Sequence, residues 1–217
     1  MRVGDIPPAR LATLPVTALA RRPRFHGRAS VCPRAPIVMP NASHTIPGYD
    51  DPVAELERAI VDVAENLFYS FVERCNVARF HDLVSAVREA ATNAALSPAW
   101  IHARIAFVGP FGGHVDLFMP ELLGAQLLSS FTGMPPEQAI DDGQLMDISG
   151  EFGNMVSGHW LRAANVDAPF DLAAPSVERL PSTWTPSDDD ASGDVHVALS
   201  EMPLRVRVSV QAVSVAA

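Results

Sequence analysis

The chain has 217 residues, 48% of them hydrophobic, and a formal net charge of −9. A chain of this length and hydrophobic content can bury one sizeable core. Its apolar runs fall short of the roughly eighteen residues that span a bilayer, so the sequence predicts a soluble protein without a membrane span.

The charge is distributed unevenly along the chain. Residues 1–49 hold seven Arg and one acidic residue, whereas residues 50–217 hold nine Arg and 24 acidic residues. The first segment therefore carries +6 and the second −15. An acidic body argues against nucleic acid as a partner, because phosphate contacts need clustered Lys and Arg. Only two cysteines are present, Cys32 and Cys75, which favours a reducing, cytoplasmic compartment.

Residues 1–49 are interpreted as a proline-rich basic arm. Eight prolines in this segment prevent long helices and central strands. We therefore expect the arm to be disordered and to add nothing to folding. A secretory signal is the alternative, but Pro15 interrupts the apolar run of residues 11–20, and Arg21 and Arg22 follow that run rather than precede it. Residues 50–217 then form the folded domain.

Two helices are predicted at the start of this domain. Asp51 is suited to cap a helix whose first residue is Pro52. Apolar residues follow at spacings of three and four, which predicts a helix to about Arg74: Leu56, Ile60, Val63, Leu67 and Phe71. A second helix is predicted over residues 80–95, ended by the Ser-Pro pair at residues 97 and 98.

Alternating apolar residues then indicate strands. Residues 101–107 and 115–119 flank a glycine-rich turn and predict a β-hairpin. A third helix is predicted to open at Pro120 and Glu121 and to close at Gly133. Residues 170–177 are predicted as a strand and residues 181–192 as a loop. Residues 195–199 and 204–211 predict a second hairpin with one polar face, around a turn at residues 200–203.

These elements predict an α/β chain of the α+β arrangement. The sheet is expected to be largely antiparallel and to be covered on one side by long helices.

A further helix, predicted after Asp141 and Asp142, has an unusual polar face. At about 100° per residue, four residues line up on one side of it, and we call them the polar stripe: Asp147, Glu151, Asn154 and Gly158. The apolar residues gather on another side: Leu145, Ile148, Phe152, Met155 and Val156. Three glycines, Gly150, Gly153 and Gly158, cost roughly 1 kcal/mol each relative to Ala, so we expect another surface to approach this helix closely.

The spacing Asp147, three residues, Glu151, two residues, Asn154 resembles the active helix of the CheC/CheX/FliY family of chemotaxis phosphatases. The order of hairpin, helix, acidic loop and helix is also that of the CheX-like fold, so the resemblance covers roughly residues 51–211. It is greatest to the CheX-like members, which have a single site. The family's downstream proline falls on Pro175, with Pro169 and Pro181 as competitors nearby.

The resemblance implies a phosphatase that acts on the aspartyl phosphate of a CheY-like response regulator. An Asn carboxamide offers a donor and an acceptor, which suits Asn154 to hold a water in line with a phosphoryl group. Glu151 is expected to pair with a Lys of the partner. Asp147, Gly158 and Pro175 are expected to contact the partner. The family implies Mg²⁺ on the partner, so this chain is expected to bind no metal or cofactor of its own.

The alternative function is a non-catalytic module of the same fold, such as a flagellar-switch or regulator-sequestering domain. The Glu151 and Asn154 pair favours the enzyme. A homodimer is also expected, because CheX relatives pair and the C-terminal hairpin is expected to present an open sheet edge.

Three other features receive simpler interpretations. Glu73 and Asn76 repeat the Glu-x-x-Asn spacing, but Tyr69 stands where an Asp or Ser is needed, so Asn76 is interpreted as a cap at a helix end. The three Asp at residues 188–190 are interpreted as a solvated turn rather than a Mg²⁺ site, because consecutive side chains point apart. His159 is predicted on the apolar side of its helix, as a core histidine.

Overall fold

The computed structural model describes residues 46–93, 99–134, 141–164, 166–181, 183–186 and 194–211. Residues 1–45 lie outside this part, so the interpretation of the arm stays a prediction. The described residues contain four helices: α1 (Pro52–Leu67), α2 (Val77–Asn93), α3 (Glu121–Thr132) and α4 (Asp142–Ala163). They also contain seven strands: β1 (Val72–Arg74), β2 (Trp100–Val108), β3 (Gly112–Pro120), β4 (Asp171–Leu172), β5 (Ser176–Leu180), β6 (Asp194–Leu199) and β7 (Met202–Gln211).

The strands form one antiparallel sheet in the order β1–β6–β7–β3–β2, and both β4 and β5 pair with the outer edge of β2. Side chains alternate between the two faces of such a sheet. In the hairpin of β2 and β3, one face is apolar and fully buried: Ile101, Ala103, Ile105, Phe107, Val115, Leu117 and Met119. This alternation confirms the predicted hairpin and fixes which face carries the core.

Helices α1, α3 and α4 cover the apolar face and form the main core with it. The rings of Phe68, after α1, and Phe152, in α4, meet edge to face at 5.2 Å. At the other end, Trp160 Nε1 donates a hydrogen bond to the Pro52 carbonyl, and Tyr49 stacks on the Trp160 ring at 4.8 Å. Helices α1 and α4 therefore run antiparallel, and the stretch of α4 from Phe152 to Trp160 is held against α1.

Helix α2 packs on the opposite face of the sheet. Phe80 and Val84 of α2 form a second, smaller core with Trp100 of β2, whose neighbour Ile101 points to the main core. The expectation that helices cover only one side of the sheet is therefore wrong, because the consecutive residues Trp100 and Ile101 at the start of β2 are both apolar and point to opposite faces. The prediction of a largely antiparallel sheet covered by helices is confirmed.

The first helix is shorter than predicted. It ends at Leu67, because Tyr69 adopts a left-handed backbone with φ of 51° that a helix cannot continue through. The chain then enters β1, where Val72 pairs with Leu199. The helical spacing of the apolar residues therefore predicted a helix that is too long. Phe71, the last residue in that spacing, lies beyond α1 and is 70% exposed.

The remaining differences are local. Residues 170–177 contain β4 and the start of β5, separated by a short break, rather than one strand. The last hairpin turns at Ser200 and Glu201, which both have positive φ. Asn76 caps the start of α2, where its Oδ1 accepts a hydrogen bond from Arg79 N at 2.8 Å. Glu73 lies in β1, so this second Glu-x-x-Asn is not on a helix face.

The C-terminal hairpin lies inside the sheet, because β6 pairs with β1 and β7 pairs with β3. Along Val197–Leu199 the hairpin is therefore covered by β1 rather than open as expected for a homodimer, and the edges of the described sheet are β1 and the β4–β5 side. The homodimer itself stays a prediction. None of the helices in the described ranges has the length and apolar character that crossing a membrane requires.

A buried carboxylate lies on the second face of the sheet. Asp116 is 3% exposed and contacts His102 Nε2 at 2.7 Å, Arg104 Nε at 2.6 Å and His114 Nε2 at 3.2 Å. Burial alone would raise the pKa of Asp116, but the hydrogen bonds from His102, His114 and Arg104 outweigh it and hold the pKa well below its usual range. The carboxylate therefore stays ionised in the fold.

His102 joins Asp116 to the edge strand β5. Its Nε2 faces Asp116 and its Nδ1 lies 3.0 Å from Glu178 Oε1, so only the imidazolium can donate to both carboxylates. Burial lowers the pKa of His102, yet the hydrogen bonds to Asp116 and Glu178 outweigh it and the net pKa is raised despite the nearby Arg104. A raised pKa stabilises the fold at low pH, and this contribution is lost as pH rises through the folded value.

We predict that the free energy of unfolding falls between about pH 6 and about pH 8.5, and falls less in His102→Gln. The substituted carboxamide cannot titrate, so the difference between the two proteins isolates the contribution of His102 from that of the other histidines. Urea unfolding at both pH values measures it. Equal losses in the two proteins would show that His102 does not link protonation to folding.

Candidate active site

Helix α4 begins where the sequence predicts. Asp141 is the N-cap, its carboxylate accepts a hydrogen bond from Gly143 N at 3.3 Å, and Gln144 Oε1 accepts one from Asp141 N at 3.4 Å. This reciprocal capping box satisfies backbone donors that the first turn leaves open. The cap fixes the start of a 22-residue helix and, with it, the direction of every later side chain.

The polar stripe lies on the outer side of α4. Asp147 and Glu151 are exposed, and Asn154 and Gly158 are half-buried. The predicted apolar side is buried except for Met155, which is half-buried: Leu145, Ile148, Phe152 and Val156. The structure therefore brings the four stripe residues together along one accessible line.

His159 differs from its prediction. It is exposed rather than buried. In this turn of α4, Trp160 takes the core position, where it stacks on Tyr49 and is fully buried. The neighbouring position at 159 is left facing solvent.

The carboxamide of Asn154 has an unpaired acceptor. Its Oδ1 is buried and makes no hydrogen bond to any described residue. A buried polar atom without a partner costs free energy, and such atoms often mark a functional role. No described residue therefore engages this acceptor, and the carboxamide has to turn outward to hold a water at the surface.

Of the glycines Gly150, Gly153 and Gly158 of α4, the first two are explained by packing within the fold. A Cβ on Gly153 would lie 2.5 Å from Ile105 Cδ1 and 3.0 Å from Leu117 Cδ1, so this residue lets α4 approach the sheet. A Cβ on Gly150 would lie 3.0 Å from Val177 Cγ2 and 3.1 Å from Pro175 Cβ. Pro175 is thus placed against α4, at the residue next to Glu151 in the helix sequence.

Gly158 is different, because a Cβ there would meet only Leu172 Cδ1 at an ordinary 3.8 Å. It borders a shallow cleft of about 380 Å³, which is also lined by Leu161, Arg162 and Phe170. Packing within the described fold therefore gives no reason for a glycine at this stripe position.

The two kinds of glycine should respond oppositely to alanine. We predict that Gly153→Ala lowers the free energy of unfolding by about 1–3 kcal/mol, because the methyl group overpacks the contact with the sheet. Gly158→Ala should raise it by up to about 1 kcal/mol, since Ala favours the helix and its Cβ has room. Chemical denaturation measures both values. Changes of the same sign in the two variants would contradict this account of the glycines.

Arg179, which no sequence motif indicated, connects three elements beside the site. Its Nη2 lies 3.1 Å from Asp142 Oδ1 at the start of α4, and its Nε contacts Glu121 at the start of α3. The hydrogen bond from Arg179 and its charge lower the pKa of the exposed Asp142 carboxyl. The available signal was spacing. Arg179 lies two residues from Val177 and therefore shares its face of the strand, which is the face that meets the helices.

Metal ligation has no candidate group in the described ranges, where no three or more His, Cys, Asp or Glu residues are arranged to hold an ion. The three Asp at residues 188–190 lie outside those ranges.

Comparison with known proteins gives a family-model match over part of the chain and a fold. Residues 101–182, which include α4 and all of the site, match the family model described as chemotaxis phosphatase CheX. A search among curated protein sequences finds no significant match.

Among solved structures, the chemotaxis protein CheX from Vibrio vulnificus is similar at 14% identity and a TM-score of 0.55, over 77% of this chain and 100% of that one. A CheC-like superfamily protein from Shewanella sp. PV-4 has 17% identity and a TM-score of 0.49, over 75% and 99% of the two chains. A chemotaxis protein CheX from Desulfovibrio desulfuricans has 13% identity and a TM-score of 0.48, over 74% and 99%. The Vibrio likeness shows a shared fold.

Proposed function

We propose that this chain is a phosphatase of a phosphorylated CheY-like response regulator. Its match to the CheX model over residues 101–182 and its fold support membership of the CheC/CheX/FliY family. The observation that carries the proposal is the stripe of α4, where Asn154 keeps an unpaired acceptor beside the exposed Glu151. A cytoplasmic location and the absence of a metal or cofactor on this chain are parts of the same proposal.

The reaction is the hydrolysis of an aspartyl phosphate. A water attacks phosphorus, the bond from phosphorus to the aspartyl oxygen breaks, and the regulator's carboxylate and inorganic phosphate are the products. An Asn is not a base at neutral pH, so Asn154 acts by orientation: its Oδ1 accepts a hydrogen bond from the water and keeps it in line with the leaving oxygen. Mg²⁺, held by the regulator, supplies charge stabilisation at the phosphoryl group.

Glu151 serves binding rather than chemistry. Its carboxylate is exposed one helical turn before Asn154, where it pairs with a Lys beside the partner's phosphorylation site. Such a pair is worth under about 1 kcal/mol in solvent but a few kcal/mol once docking removes water from it. The acidic balance of residues 50–217 suits a partner with a cationic rim.

The other stripe residues shape the contact surface. Gly158 leaves room one turn beyond Asn154, and its open Cβ position supports close approach of the partner. Pro175 forms a wall against Gly150 on one side of the stripe. Asp147, two turns from Asn154, lies furthest from the reacting phosphoryl group and contributes least.

Alanine variants separate these roles. We predict that Asn154→Ala keeps regulator binding and helix stability but lowers the rate of dephosphorylation by at least ~100-fold, because the water loses its orientation. Glu151→Ala should weaken binding, and Asp147→Ala should be tolerated. Phosphate release and regulator affinity are measured for each variant.

His159→Ala is the matched control, since it removes an exposed side chain from α4 outside the stripe. Full turnover by Asn154→Ala, or simple unfolding of that variant, would refute the assignment of α4 as the active element.

A further inference from the structure

The edge strand β5 lies beside the stripe and is weakly held by its own pairing. Within the described residues it pairs only with β2, and its five residues are exposed or half-buried. An edge segment with one pairing partner and little burial opens more easily than the centre of a sheet. Side-chain contacts therefore decide how firmly this segment stays against the helix.

Arg179 supplies such contacts on the face of β5 that meets the helices. Its guanidinium is bidentate to Asp142, with Nη2 at 3.1 Å from Oδ1 and Nη1 at 3.3 Å from Oδ2, and its Nε contacts Glu121. These carboxylates belong to the first residues of α4 and α3. One side chain thus ties β5 to the starts of two helices.

The other end of the same segment contacts α4 through Pro175 and Val177, which lie against Gly150. From Asp142 to Gly150, eight helical residues rise about 12 Å, and from Arg179 to Pro175, four extended residues span about 13 Å. The segment 175–179 therefore runs alongside the first two turns of α4, in the opposite direction, with a contact at each end.

The contact on the opposite face of β5 does not involve the helix. Glu178 lies 3.0 Å from His102 of β2, on the side of the sheet away from α4. It attaches the strand to the sheet, whereas Arg179 attaches it to the helix.

Resting on the phosphatase function above, we propose that Arg179 is a positioning residue: it holds segment 175–179 along α4, so that Pro175 stays beside Glu151 as a wall of the regulator-docking surface. Arg179 touches neither the regulator's phosphoryl group nor the attacking water. Its loss changes how well the surface is formed before docking, so the affinity for the regulator changes more than the chemical step does.

The test combines hydrogen exchange of the protein alone with steady-state kinetics. Arg179→Gln should make the β5 amides exchange about five-fold faster, with a melting temperature within a few degrees of the wild type. With phosphorylated regulator, the same variant should show a KM raised several-fold and a kcat within about two-fold. Arg179→Lys, which keeps the charge but cannot form the bidentate contact, should show both effects to a smaller extent.

The matched control is Arg58→Gln. Arg58 makes an exposed ion pair with Glu55 on α1, at 2.7 Å, and should change neither exchange in β5 nor KM. Unchanged β5 exchange in Arg179→Gln, or faster exchange with an unchanged KM, overturns the inference. A wild type without phosphatase activity overturns the proposed function and the kinetic half of the inference, while exchange still decides whether Arg179 holds the strand.

Discussion

The close approach of α4 to the sheet at Gly153 is the constraint on which the rest of the site depends. The helix lies so near β2 and β3 that a single methyl group would meet Ile105 and Leu117 within 3.0 Å. Because one side of α4 is fixed on the sheet and further held by Phe68 and Trp160, its outer side has a fixed direction. The stripe is therefore presented by a rigid element rather than by a loop, which suits a site that works by orientation.

The second face of the sheet contains buried charges that must be compensated. Asp116 and Asp194 are almost fully buried carboxylates, and each is compensated by basic side chains, Arg104 with the histidines in one case and Arg205 with Arg207 in the other. Removing such a partner leaves an uncompensated buried charge, which is more costly than losing a surface pair. This polar layer therefore holds the strand register, and through Glu178 and His102 it reaches the edge strand beside α4.

The sequence predicted an element correctly where the chemistry of neighbouring residues and the periodicity of the apolar residues indicated the same structure. The start of α4 at the Asp141–Asp142 pair, the β2–β3 alternation and the line of stripe residues on α4 all follow from rules that act over a few residues, and all are confirmed. The resemblance to a known family singled out Pro175 as a residue that contacts the partner, but its contact with Gly150, 25 positions away, was not predicted. The roles of the stripe residues in binding and catalysis stay predictions.

The wrong or missing predictions share a cause. The local sequence allows more than one conformation, and tertiary contacts select among them. Phe71 continued a helical spacing, yet pairing with β6 drew the chain into β1 after Tyr69. His159 had the angle of a core residue, but Trp160 filled the space. Arg179 carried no motif, since its partners Glu121 and Asp142 lie far away in sequence and meet it only after β5 pairs with β2.

The central claim is that α4 catalyses hydrolysis and does not merely bind the regulator. The most direct measurement is phosphate release from a phosphorylated CheY-like regulator present in large excess over this protein. The account predicts many phosphoryl groups hydrolysed per protein molecule, at a rate that scales with protein concentration. Release that stops at one equivalent, or regulator that is bound while its phosphoryl group decays at the uncatalysed rate, would contradict it and identify a sequestering module instead.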